Sequence, residues 1–325
     1  MIEERIKAWE SIKDAQFFAA KHDIEFKELK FEYPSKIKCG YKNAIAMIFD
    51  GKYPQGFISL TSILRHARQC SFVLFTDLPL DNPSISLAFK TAALNKNIEF
   101  TVANIEMFGL KDFQGSDPAI RRDLGKVIWY RLLLPWVLDA EKILYLDADI
   151  LALKDFCRIF VYDMLDNFYA AAKDYTCGVD YYHNAGVILQ NAEKIAKALS
   201  YSDMVNIIRF YQEKIVFQFK DQDVLNFVFR NELATLPWIY NAFSLTDWKI
   251  RFLEDATLIH FAGDSYYTYD DSNKDKWHSP RQTQLKHLWE NAINQWLIMK
   301  ETLDCVELKD VIYNLEFYRE SLWIL

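Results

Sequence analysis

Apolar residues gather along the chain in two rhythms: short continuous runs, and longer stretches repeating every three or four positions. The runs Ala44-Ile45-Ala46-Met47-Ile48-Phe49, Phe72-Val73-Leu74-Phe75 and Ile98 to Val102 predict strands, and Phe57, Leu60, Ile63 and Leu64 predict a helix between the first two. Strand, helix, strand at this spacing is the βαβ unit of a doubly wound sheet, and continuous runs predict strands covered on both faces. Further strands are expected at Tyr169 to Ala172, Val187 to Leu189 and Ala256 to Ile259. The fold class is therefore α/β, a mostly parallel central sheet flanked by helices. Ile2, Ile6, Trp9, Ile12, Ala15 and Ala19 predict an amphipathic helix ahead of it, and helical stretches at 282–300 and 306–325 follow. This divides the chain into an N-terminal helical extension (1–40), a main domain (41–280) and a C-terminal helical region (281–325).

The stretch around which the rest is organised is Lys142-Ile143-Leu144-Tyr145-Leu146-Asp147-Ala148-Asp149-Ile150. Its four apolar residues predict another buried strand. Two carboxylates follow at once, at the strand end where ligands of open parallel sheets bind. With one residue between them, the two side chains stand about 6–7 Å apart along an extended chain, so a turn at Ala148 is expected to bring both acids to one cation. Oxygen ligation of that kind suits Mn²⁺ or Mg²⁺ and not zinc. An acid at a strand end is also an ordinary turn former or helix cap, so the triplet alone leaves both readings open.

Composition narrows the choice. With 325 residues, 51% of them hydrophobic and 16% aromatic, the chain can bury a large core. A net charge of -7 excludes a general nucleic-acid binder, which needs basic surface against phosphates. Five scattered cysteines without a Cys-x-x-Cys pair suit free thiols in a reducing compartment. A charged N-terminus and no long apolar run place the protein in the cytoplasm, with at most peripheral membrane contact. Nine glycines with no phosphate-cradling glycine motif leave a cation to handle any phosphate.

Other positions join the two acids. Leu124 to Leu134 is apolar on nearly every side and predicts a buried helix, which Pro135 ends or extends by a new turn. Arg131 lies on its inner stripe, where it must either pair with a structural carboxylate or face a phosphate-bearing ligand. Asn184-Ala185-Gly186 opens a strand with small residues beside an amide, which is a turn or a place of close backbone approach. Asp221-Gln222-Asp223 starts a helix, with Asp221 as its cap or as an acid shown to a ligand. His260 ends a strand, and the polar, aromatic segment from Tyr266 to Lys276 predicts a mobile loop.

In this order the motifs resemble glycosyltransferase family 8, retaining enzymes of GT-A fold that include lipopolysaccharide glucosyl- and galactosyltransferases. They are Phe49-Asp50 through Tyr53, Tyr130-Arg131, Tyr145 through Asp149, Asn184 through Val187, Asp221 through Asn226, and His260-Phe261-Ala262-Gly263. The resemblance implies that Asp147, Asp149 and His260 hold Mn²⁺, with Mg²⁺ as the alternative, against the diphosphate of UDP-glucose or UDP-galactose. It implies that Asp50 and Tyr53 hold the uracil, and that Arg131, Asn184, Gly186, Asp174 and Asp221 meet the transferring sugar or a glycan acceptor. Gln222 would lie beneath the reacting carbon, Gly263 would line the donor site, and Lys276, after a longer insertion than the family usually carries, is the candidate for the diphosphate. Gln222, Asp221 and Asp174 are thus the catalytic candidates. An amide is a poor nucleophile, so the family is usually given a same-face reaction in which the leaving phosphate assists the incoming hydroxyl. Two competing readings are a phosphatase of the haloacid-dehalogenase type, with Asp147 as nucleophile and Asp270-Asp271 as metal pair, and a catalytically silent sugar-nucleotide binder.

Overall fold

A computed structural model describes residues 35–51, 56–95, 97–110, 127–174, 182–214, 220–243, 253, 255–262 and 280–304. Its central feature is a sheet built from β1 (Asn43–Ile48), β2 (Cys70–Thr76), β3 (Ile98–Asn104), β4 (Lys142–Leu146), β6 (Tyr169–Lys173), β7 (His183–Asn191) and β8 (Leu233–Leu236). A short strand, β5 (Ile150–Ala152), belongs to a second sheet. The order in the main sheet is β8-β6-β7-β4-β1-β2-β3. β4 runs parallel to β1, β1 to β2 and β2 to β3, whereas β7 runs antiparallel to both β4 and β6. The sheet is mostly parallel, as its apolar runs predict, with β7 as the reversed strand.

Alternation within those runs feeds two cores at once. Ala44, Ala46, Ile48, Ile143 and Tyr145 pack on one face, and Ile45, Met47, Phe49, Leu144 and Leu146 on the other. The second face is covered by α1 (Gly56–His66), through Phe57, Leu60, Ile63 and Leu64, and by α2 (Pro83–Leu94). Asn82 caps α2 by accepting a hydrogen bond from the Ser84 amide, and Pro83 occupies the first turn, where no donor is needed. The first face is covered by residues 127–137, α3 (Ala192–Ala198), α4 (Tyr201–Lys214) and α5 (Asp221–Val228). The buried segment 127–137 is two single α turns joined by a 3₁₀ turn at Arg131–Leu133, with Pro135 in the first turn of the second. Pro135 therefore extends the segment instead of ending it. Each fully buried Leu or Ile contributes about 1.5–3 kcal/mol, so the central strands make up much of the hydrophobic stabilisation.

The small sheet positions the site. β9 (Ala242–Phe243) pairs with β10 (Leu258–His260), and β10 pairs antiparallel with β5, so that His260 lies opposite Ile150. Leu151, Ile259 and Phe261 are backed by Leu285 and Trp289 of α6 (Pro280–Asp304). α6 also reaches the main body, where Lys90 Nζ donates to the Leu303 carbonyl at 2.6 Å. The expected helices at 2–22 and 306–325 and the loop 266–276 lie outside the described residues. No helix among the described residues is long and apolar enough to cross a membrane.

Candidate active site

β4 ends at Leu146, and the Asp147 amide extends its pairing with β7 by one step, donating to the Gly186 carbonyl at 2.8 Å. The chain then turns through Ala148 and Asp149, as the need to converge two acids predicts, and enters β5 at Ile150. Because β10 pairs with β5, the Phe261 amide donates to the Asp149 carbonyl at 3.1 Å and His260 is carried beside both acids. Its Nε2 stands 3.1 Å from Asp149 Oδ1 and 3.7 Å from Asp147 Oδ2. One ligand atom from each of the three residues lies within 4.8 Å of the others. His260 is buried, while the two acid side chains are about a quarter exposed.

Two carboxylate oxygens and an imidazole nitrogen form a donor set that suits a hard or borderline divalent ion. Asp149 Oδ1 is buried and lies 3.1 Å from His260 Nε2, a pairing that a cation shared by the two would replace. The residues therefore fit a cation. Burial alone would lower the proton affinity of His260 and raise that of Asp149. Their mutual attraction outweighs burial, so the imidazole is raised above its usual value and the Asp149 carboxyl is lowered.

Arg131 resolves its two options by pairing with carboxylates of the site itself. Its Nη1 stands 3.1 Å from Asp147 Oδ1 and its Nε 3.0 Å from Asp221 Oδ2. Nη1 also donates to the Ala185 carbonyl at 2.7 Å, and the guanidinium lies 4.5 Å from the centre of the Tyr145 ring. Burial would weaken the guanidinium's hold on its proton, yet Asp147 and Asp221 raise it. The Tyr145 hydroxyl donates to Asp147 Oδ1 at 2.6 Å. Asp221 is not the cap of α5: Lys220 holds that place, with φ 49° and no side-chain capping hydrogen bond, and Asp221 is the first helical residue. Burial pushes the Asp221 carboxyl up to about 7, Arg131 opposing and Asp147 adding to the rise.

Beside the cation position lies a cluster of amides. Gln222 Oε1 accepts from the Ala185 amide at 2.9 Å and from Asn184 Nδ2 at 3.2 Å, and Gln222 Nε2 donates to Asp174 Oδ2 at 3.1 Å. Asn184 Oδ1 accepts from the Gly186 amide and from Asn241 Nδ2, both at 2.9 Å. Asp174, Asn184, Asp221 and Gln222 are all buried. Gly186 makes room for the imidazole: a Cβ there would lie 2.1 Å from His260 Cε1. The close approach its small size permits is thus made by His260.

Asp50 follows β1, the parallel neighbour of β4 in which Met47 pairs with Leu146, so it leaves the sheet at the same end as the two acids. The next residue, Gly51, donates its amide to Asp77 Oδ1 at 2.8 Å, which ties this loop to the end of β2. Tyr53, Gly263, Lys276 and the pair Asp270-Asp271 lie outside the described residues. Three residues of the site have no assigned part in the sequence reading: Tyr145, Asp77 and Asn241. Tyr145 carries a signal, as the one hydroxyl within an apolar strand. Asn241 carries none, since it follows a three-residue 3₁₀ turn and its partners are distant in the chain.

Comparison with known proteins converges on the same stretch. Residues 44–265 match the family model of glycosyl transferase family 8. The glycosyltransferase GlyE of Streptococcus pneumoniae serotype 4 is 25% identical over 183 residues, 54% of this chain and 43% of GlyE. Glycosyltransferase GlyA of the same organism is 25% identical over 225 residues, 67% of this chain and 30% of GlyA. The chain thus spans less than half the length of these two relatives. Among solved structures, GlyE superposes with a TM-score of 0.56 at 20% identity, covering 83% of this chain and 64% of that one. The galactosyltransferase LgtC, in complex with donor and acceptor sugar analogues, superposes with a TM-score of 0.53 at 20% identity, covering 75% of this chain and 95% of that one. At such identity the likeness to the solved structures is one of fold, the GT-A arrangement.

Proposed function

Because the chain belongs to glycosyltransferase family 8, we propose that it is a cation-dependent retaining hexosyltransferase, moving glucose or galactose from a UDP-sugar to a glycan acceptor. The acceptor class fits cytoplasmic steps of cell-surface polysaccharide or lipopolysaccharide synthesis. The observation that carries the reading is the convergence of Asp147, Asp149 and His260 from two sheets on one point. The phosphatase alternative has no comparable support, and family membership selects transfer.

Mn²⁺ or Mg²⁺ bound by these three residues supplies a Lewis acid against the negative charge that builds on the departing diphosphate. The chain's own residues do the rest. Arg131 and Tyr145 fix Asp147 in one orientation. Asp50 leaves the sheet beside Asp147, where the nucleotide would lie, and Asp174, Asn184 and Gln222 form the floor for the sugar. The Gln222 carbonyl oxygen already accepts two hydrogen bonds, so it is a poor nucleophile and serves instead to fix the floor. Asp174, in contact with the amides of Gln222 and Asn184, supplies negative charge close to a sugar that becomes cationic as its bond breaks. A same-face reaction assisted by the leaving phosphate agrees with this floor better than a double displacement, which needs a carboxylate directly under the reacting carbon.

The test is UDP release from a panel of UDP-sugars with Mn²⁺, with and without a glycan acceptor. Turnover with one hexose donor is expected, and Asp149→Ala should reduce it at least 100-fold. A folded protein that binds Mn²⁺ and turns over no donor would refute the enzymatic reading and leave a sugar-nucleotide binder.

A further inference from the structure

The backbone of β7 dictates, through two side-chain amides, which nitrogen of His260 faces the acids. The chain of assignments starts at a group that cannot be flipped. The Gly186 N–H can only donate, so the Asn184 atom 2.9 Å away is its carbonyl oxygen. The Asn241 atom 2.9 Å from that same oxygen must then be the amide nitrogen. Asn241 is thereby left with its carbonyl oxygen toward His260 Nδ1, at 3.1 Å. A carbonyl only accepts, so Nδ1 carries a proton, and once the ring is neutral, as a cation ligand must be, its lone pair is on Nε2, the nitrogen on the side of Asp147 and Asp149. A third amide of the cluster is set in the same way, since the Ala185 N–H fixes the orientation of Gln222.

We propose that Asn241 is a positioning residue that locks His260 as its Nδ1–H tautomer, with Nε2 turned to the cation position, and that Asn184 sets the orientation of Asn241. Asn241 is buried, follows directly on Tyr240 and precedes β9, whose pairing with β10 places it beside His260. Its backbone amide donates to the Trp238 carbonyl at 3.0 Å, so main chain and side chain are both fixed. A ligating imidazole tethered through its other nitrogen is held in orientation and made more basic, and loss of such a tether typically weakens cation binding about 10- to 100-fold. The cation position and the amide floor are therefore one hydrogen-bonded unit.

This inference rests on the cation reading above, and the test separates the two. Mn²⁺ affinity is measured by calorimetry on the full chain without any donor sugar, for the wild type, Asn241→Leu, Asn241→Ala and Asn241→Asp, each checked by thermal melting. Leu and Ala remove the acceptor; Asp retains an acceptor for the Nδ1 proton. The expected result is about 10- to 100-fold weaker Mn²⁺ binding for whichever of Leu and Ala folds, with Asp within a few-fold of wild type. Wild-type affinity in the folded Leu or Ala variant would overturn the inference and leave the cation reading intact. Equal weakening in Asp would overturn it too, since the loss would not follow the acceptor. A wild type that binds no divalent cation would overturn the cation reading and, with it, this inference.

Discussion

Asp221 is the most strained charge in the site, because it is buried on entry to α5 with Arg131 3.0 Å away. Burial lifts its carboxyl from 3.8 to about 7, and Arg131 offsets this only in part. Between those two pH values the folded protein binds more protons than the unfolded chain, so stability falls as pH rises through the interval. The contribution is fully present below pH 3.8 and is lost as pH passes about 7, a decline on the order of 4 kcal/mol at about 1.4 kcal/mol per pH unit. His260, raised by Asp149 and Asp147 despite burial, adds a decline of the same sign that begins above pH 6.5. The cation-free protein should therefore melt lower at about pH 8 than at about pH 5.5. Asp221→Asn retains an oxygen toward Arg131 and removes the buried carboxyl, so its melting curve should be flatter across this interval and higher at about pH 8. A slope identical to wild type would show that Asp221 is ionised without cost. That Asp147 and Asp149 stand together at a strand end is legible in the sequence from the apolar run before them. The proton affinity of Asp221 is not, because it is set by burial in the folded chain and by Arg131 and Asp147, ninety and seventy-four residues earlier.

At the scale of elements, the central strands are legible because each is a continuous apolar run bounded by polar residues. β8 is not, since of Leu233, Ala234, Thr235 and Leu236 only Leu236 is buried, and β9 has two residues. The reversal of β7 is illegible for another reason: an apolar run encodes burial and not direction. β5 hides within the apparent continuation of β4, and only its pairing with β10 makes it a separate strand. Period-two geometry also assigns Tyr145 a part. Tyr145 and Asp147 are two residues apart and so project to the same face, where the hydroxyl meets the carboxylate at 2.6 Å. Tyr145→Phe keeps the ring under Arg131 and removes that hydrogen bond to a charged group. A loss of about 1.5–3 kcal/mol is expected, read as a lower urea midpoint with unchanged slope. A midpoint equal to wild type would mean that Arg131 alone orients Asp147.

For the whole molecule, the three candidate ligand side chains sit where two sheets meet. Asp147 leaves the main sheet, His260 belongs to the small one, and Asp149 lies in the turn between β4 and β5. A bound cation would join those sheets at the turn between β4 and β5, while α6 holds the small sheet from behind through Leu285 and Trp289. Binding to the folded state adds stability of about 2.7 kcal/mol when the cation is at a hundredfold its dissociation constant. That gain should not be uniform, because β1, β2 and β3 carry none of the three side chains around the cation position, although one of their two cores also takes in Ile150, Ala152 and Leu258. Hydrogen exchange with Mg²⁺ against chelator should show slower exchange of the Ile150–Ala152 and Leu258–Phe261 amides, with Ala44–Ile48 and Phe72–Phe75 unchanged. If the cation protected all four segments equally, the two sheets would open as one cooperative unit. If it protected none, the ion would bind without bracing the junction, and His260 would be no part of its hold.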